Sequence, residues 1–146
     1  MSTVTLVNSQ GEIDLWMSLA SDDLVDGSTY EGRLVKLVPD HIDIKEFRKT
    51  NYWNSTISEW ITRTQRPGSC YYWENQSWVL NTEEFDKKLR IERNRRLTNS
   101  DWTQLSDNGL TTEQKSSWAT YRQALRDLPA INEATTLESI TWPAQP

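Results

Sequence analysis

Apolar and polar residues alternate over the first part of the chain. Val4 and Leu6 fall on one side, Ile13 and Leu15 on one side, around a turn at Asn8–Gly11. A period of two predicts a pair of short strands joined by that turn. The next stretch, ASDDLVDGSTYEG, is polar and punctuated by glycine, which predicts a loop. RLVKLVPDHIDI is rich in β-formers but interrupted by Pro39, so it reads as an edge strand or as a strand ending there. FRKTNYWNSTISEWITR supports two patterns. Tyr52, Trp53, Ile57, Trp60 and Ile61 make a helical face that Asn54 or Ser55 would cap, whereas the β-branched residues favour strand.

The turn signal Arg66–Ser69, RPGS, marks a seam between two halves. Beyond it, two aromatic runs flank Glu74–Ser77 and predict a hairpin over Tyr71–Leu80, with Trp73 meeting Trp78 across it. Asn81 caps a helix running to Leu97, with Glu84 as reciprocal partner. Its acids come first and its bases last, and Glu83–Lys87, Glu84–Lys88, Asp86–Arg90 and Glu92–Arg96 stand one turn apart. A second helix spans Thr111–Leu128, opened by a Thr111/Gln114 capping box and stopped by Pro129. Its apolar stripe is Trp118, Tyr121, Ala124, Leu125 and Leu128. The tail is extended, and Trp142-Pro143 anchors it. The class is α+β: a strand-rich module over residues 1–68, then over 69–146 a hairpin, two helices and an anchored tail.

Composition adds one unusual feature, eight Trp against two Phe in 146 residues. Tryptophan serves both cores and interfaces. The net charge of −5 and the mixture of signs argue against a nucleic-acid partner, although Arg90, Arg93, Arg95 and Arg96 form a dense basic run. The single cysteine, Cys70, excludes an internal disulfide and a Cys-rich zinc site, and its neighbours suggest a buried strand thiol. The opening residues lack a signal-peptide pattern and no apolar run is long enough to span a bilayer, so the expectation is a soluble protein made in a reducing cytoplasm.

Catalytic signals are weak. Asp40, His41 and Asp43 make a poor metal set and read as a polar turn. Asp22, Asp23 and Asp26 read as solvated acids of a loop rather than an acid/base pair. No glycine-rich phosphate loop or nucleophile elbow occurs. The expectation is a protein with no catalytic, cofactor-binding or metal-binding residues.

The elements YYWENQSWVL, RIERNRRLTNSDWTQL, LTTEQKSSWATYRQALRDLPA and ITWP together resemble the phage tail assembly chaperone family, from about Ser69 to Pro146. The resemblance implies a binding role: holding a phage tail or tail-fibre protein competent while it folds or assembles, in the host cytoplasm, alone as a homo-oligomer or in complex with the fibre. It supplies no catalytic residues, no cofactor and no membrane partner. An adaptor of fibre or baseplate that stays in the virion is the alternative. Trp, Tyr and Arg dominate binding hot spots, which makes Trp102, Trp118, Tyr121, Arg122, Arg126 and Trp142 the candidate contact residues. The aromatic ones also suit the domain's own core. Arg122 and Arg126 flank the apolar stripe with no acid one turn away, which favours them as contact residues, and replacing both by Ala is expected to leave the helix intact because Ala is the better helix former.

Overall fold

The structure is a computed structural model that describes residues 3–18, 24–38 and 41–146. The Asp22–Asp23 pair and Asp40 lie outside the described residues. The chain divides into two compact units, residues 1–65 with 73–78, and residues 66–72 with 79–146.

The first unit is built on a four-stranded antiparallel sheet. Its strands are β1 (Thr3–Val7), β2 (Ile13–Ser18), β3 (Thr29–Tyr30) and β4 (Arg33–Val38), in the order β2-β1-β4-β3. Strand β1 lies inside the sheet, and Val4, Thr5, Leu6 and Val7 are all buried. The Thr5 hydroxyl avoids an unpaired burial by donating to the Lys36 carbonyl at 2.9 Å.

Ile13 and Leu15 do not share a face. The register pairs Leu6 with Leu15 but Val7 with Ile13, a bulge that leaves Asp14 as the extra residue. The bulge turns Ile13 to the Val7 side, where it is buried, while Leu15 remains half exposed. Strand β4 is no edge. It pairs along its length with β1 and at two residues with β3, which itself lies in the segment expected as loop.

A short helix α1 (Ile44–Thr50) follows, unmarked by apolar periodicity. Asp43 caps it by accepting from the Lys45 amide, and Arg48 and Lys49 suit its C-terminal dipole. Past Thr50, where α1 ends, the ambiguous segment is strand: β5 (Asn51–Asn54) pairs with β6 (Glu59–Thr62), setting Tyr52 against Ile61 and Trp53 against Trp60. Asn54 caps no helix. Its side chain accepts from the Thr56 amide at 3.0 Å and so closes the loop between the strands.

Gly11 fixes the packing of this unit. At φ +78°, it brings its carbonyl within 2.8 Å of the Trp53 amide, and a Cβ here would sit 2.1 Å from the Trp53 oxygen.

Strands β7 (Tyr71–Glu74) and β8 (Ser77–Leu80) form the expected hairpin. Asn75 and Gln76 both take positive φ, the geometry of a two-residue type I′ turn. Trp73 meets Trp78 edge to face at 5.0 Å. In the first unit Trp73 also touches Tyr52, and Arg63 lies over its ring.

In the second unit, helix α2 (Thr82–Asn99) begins at its Asn81 cap, which accepts from the Glu84 amide at 3.0 Å. The reciprocal half of the box is absent. The Asn81 amide is committed to the Cys70 carbonyl, and Glu84 pairs with Lys88 at 2.7 Å. Glu92–Arg96 also closes, whereas Glu83–Lys87 and Asp86–Arg90 do not.

Helix α3 (Thr112–Ile131) carries the full Thr111/Gln114 box. It continues through Pro129, because a proline in the last turns removes one hydrogen bond without denying the next residues theirs. Two apolar clusters hold the unit. One joins Cys70, Phe85, Leu89, Leu128 and Ile140. The other joins Trp118, Tyr121 and Leu125. Cys70 is buried, just before β7 rather than on it. The tail holds a short 3-10 turn at Leu137–Ser139, and among the described residues no helix is long and apolar enough to cross a membrane.

Candidate partner-binding site

Helices α2 and α3 run antiparallel: Phe85 and Leu89 pack with Leu128, while Leu97 packs with the Trp118–Leu125 cluster. At the end of α2 the chain turns sharply through Ser100 into a 3-10 turn at Asp101–Gln104. A helix end leaves carbonyls in need of partners; Ser100 supplies the Leu97 carbonyl through its amide and hydroxyl, and a side chain from α3 adds a further donor. Arg122 Nη1 donates to the Leu97 carbonyl and to Ser100 Oγ, both at 2.7 Å, and Nη2 donates to Asp101 at 2.7 Å. Thr103 Oγ1 donates to the Ser100 carbonyl at 2.7 Å, tightening the same turn.

Arg122 is only 7% exposed. Its task in this geometry is internal, holding the α2 terminus and the following turn against α3. The absence of an acid one helical turn away concealed this, because the partner Asp101 lies 21 residues back.

The turn presents Trp102, which is 47% exposed, beside Leu105, also exposed. Trp102 meets the buried Trp118 edge to face at 5.7 Å, and Trp118 meets the buried Tyr121 at 5.7 Å. Edge-to-face pairs add stabilisation beyond area burial, so Trp102 stands on a stiff aromatic base. Trp142 packs against both apolar clusters, with the Arg96 guanidinium 4.5 Å above its ring. The structure thus gathers Trp102, Trp118, Tyr121 and Arg122 at one end of the helix pair, with Trp142 lying between the two clusters. Arg126 is one turn further along α3, exposed, with no ion pair to any described residue.

Charges along α2 are tied into a local network. Glu92 accepts from Arg95 at 2.7 and 2.6 Å and from Arg96 at 2.9 Å. The hydrogen bond from Arg95 is the main reason its carboxyl is held below the usual carboxylate value. The hydrogen bond from Lys88 does the same for Glu84.

Among the described residues, no three His, Cys, Asp or Glu side chains gather where a metal would sit. Asp26 of the suspected acidic loop is engaged by Lys36 at 2.7 Å and by the Leu37 amide at 2.9 Å. Those bonds outweigh the burial that would raise its pKa and hold it low. The helix pair thus carries a stiff aromatic corner, a capped turn and surface charge.

Residues 86–146 match the model of a family described as phage tail assembly chaperone protein. The resemblance read from the sequence holds over that segment, which contains nearly all of α2, the Trp102 turn, α3 and the tail. No curated protein and no solved structure matches the chain.

Proposed function

We propose that the protein is a non-enzymatic assembly chaperone for a bacteriophage tail or tail-fibre protein, acting in the host cytoplasm while tails are built. The family match over residues 86–146 carries this reading. Tail components awaiting assembly expose apolar surface and unpaired strand edges, which invite aggregation. Trp102 and Leu105 offer apolar cover for such surface, and Arg126 offers a charged donor to the polar groups around it. Trp118, Tyr121 and Trp142 brace that corner from below, and Arg122 fixes the turn that carries it.

The test is co-expression with the neighbouring tail or fibre protein. Trp102→Ala with Leu105→Ala should leave the chaperone folded and let the client precipitate. A client that stays soluble and assembles with this variant removes the face from consideration. Normal tails after deletion of the whole gene would sink the chaperone reading. The strand-rich unit outside the matched segment favours a second reading, an adaptor that remains in the particle. Stoichiometric copies in purified virions would select it.

A further inference from the structure

From the seam between α2 and α3 we infer a docking strip for an acidic protein segment, formed by Arg90, Arg93 and Arg126. Leu89, Arg93 and Leu97 fall four residues apart on one face of α2, so Arg93 sits between two residues packed in the core clusters. Arg122 of α3 reaches the Leu97 carbonyl. In an antiparallel pair, one turn back along α2 and one turn forward along α3 bring Arg93 and Arg126 to the same level. Arg90, three residues before Arg93, extends the line.

These three side chains differ from the other arginines of the helices. Arg95 and Arg96 are held by Glu92, and Arg122 is held by Asp101. Arg90, Arg93 and Arg126 form no hydrogen bond or ion pair with any described residue. The Arg93 Nε is buried without an acceptor. A buried donor without a partner is costly, and a leucine or methionine at a seam position would avoid the cost. Arg122 Nε is buried in the same way, but its terminal nitrogens are all engaged; those of Arg93 are unpaired and not buried, and so remain open to an acceptor brought by another molecule.

Charge and surface chemistry select the occupant. Over residues 66–72 and 79–146, ten Lys and Arg balance ten Asp and Glu, and the whole chain carries −5. No long-range field gathers a polyanion such as nucleic acid. Three guanidiniums in a row satisfy carboxylates one by one, bidentately. The fitting ligand is a short segment carrying spaced Asp or Glu residues, supplied by the client. The inference therefore rests on reading this unit as protein-binding.

The experiment uses the full-length protein and a fluorescein-labelled octapeptide of alternating Glu and Leu, followed by anisotropy. The wild type should bind, more weakly as salt rises. Arg90→Ala with Arg126→Ala should weaken binding at least tenfold with melting unchanged. Arg93→Met should weaken binding while melting stays level or rises, since it removes the unpaired donor and keeps the packing. No binding by the wild type, equal binding by the double variant, or a lower melting temperature for Arg93→Met overturns the strip. So does equal or tighter binding of a single-stranded oligonucleotide of the same charge. The peptide assay needs no client, so its failure is separate from that of the co-expression test.

Discussion

Arg122 donates to the main-chain carbonyl of Leu97, 25 residues earlier, at 2.7 Å. The bond makes one helix reinforce the Ser100 cap at the C-terminus of the other, with Ser100 Oγ and Asp101 as further acceptors. Arg122→Ala is therefore expected to destabilise the second unit by about 2–3 kcal/mol, the scale of hydrogen bonds to a charged group. This reverses the sequence expectation that the substitution leaves the protein's own folding untouched. Arg122→Lys should recover only part of the loss, because one ammonium cannot span three acceptors in the guanidinium geometry. Urea unfolding followed by helical ellipticity measures both, and a midpoint unchanged in Arg122→Ala would refute the capping role.

Gly11→Ala should destabilise the first unit by about 2 kcal/mol or more. The left-handed backbone alone costs an L-residue about 1–2 kcal/mol, and the new methyl would collide with the Trp53 carbonyl. Tryptophan fluorescence during thermal unfolding is the readout. A melting temperature within a degree of wild type would contradict the close approach.

Acid should weaken the second unit partly through Glu92. Its folded pKa lies below its unfolded value. The stability it contributes is thus complete above the usual carboxylate range, about 4.3, and is lost as pH falls through the depressed value. Glu92→Gln should be less stable than wild type at pH 7 by about 0.5–1 kcal/mol, as for half-exposed ion pairs, and the two should converge as pH falls below the depressed value. A constant gap across that range would mean that ionisation of Glu92 is not involved.

A fragment Ser69–Pro146 is expected to unfold cooperatively, with helical signal from α2 and α3. It leaves Trp73 and Trp78 without Tyr52 and Arg63, the first-unit neighbours of Trp73. Their fluorescence should therefore shift to the red relative to the whole protein. A fragment with no folded signal would show that the helices need the first unit.

What the sequence made legible was local. Asn81, Thr111 and Gln114 act within three residues of themselves, and the Trp73–Trp78 contact spans a two-residue turn, so spacing alone located them. The Asp14 bulge escaped because periodicity assumes an unbroken register. β5 and β6 were ambiguous because Trp53 and Trp60 satisfy either period until the strands pair. Arg122 looked available because its acceptors come from a distant turn. Trp102 alone among the candidate aromatics combines large exposure with a buried aromatic support, a difference that composition cannot express.

The placement of Trp142 bears on the order of synthesis. It lies on both apolar clusters, and Ile140 is buried in one of them. At roughly 5–20 residues per second, Trp142 leaves the peptidyl-transferase centre about 3–11 s after Phe85. Through that interval the apolar stripe of α2 lacks its final covering, however well its cap and ion pairs form. Native closure of this unit is therefore set by translation through the last tryptophan rather than by the intrinsic speed of helix formation. Slow codons between α3 and Ile140 would lengthen the exposure of a partly built core without altering a single residue.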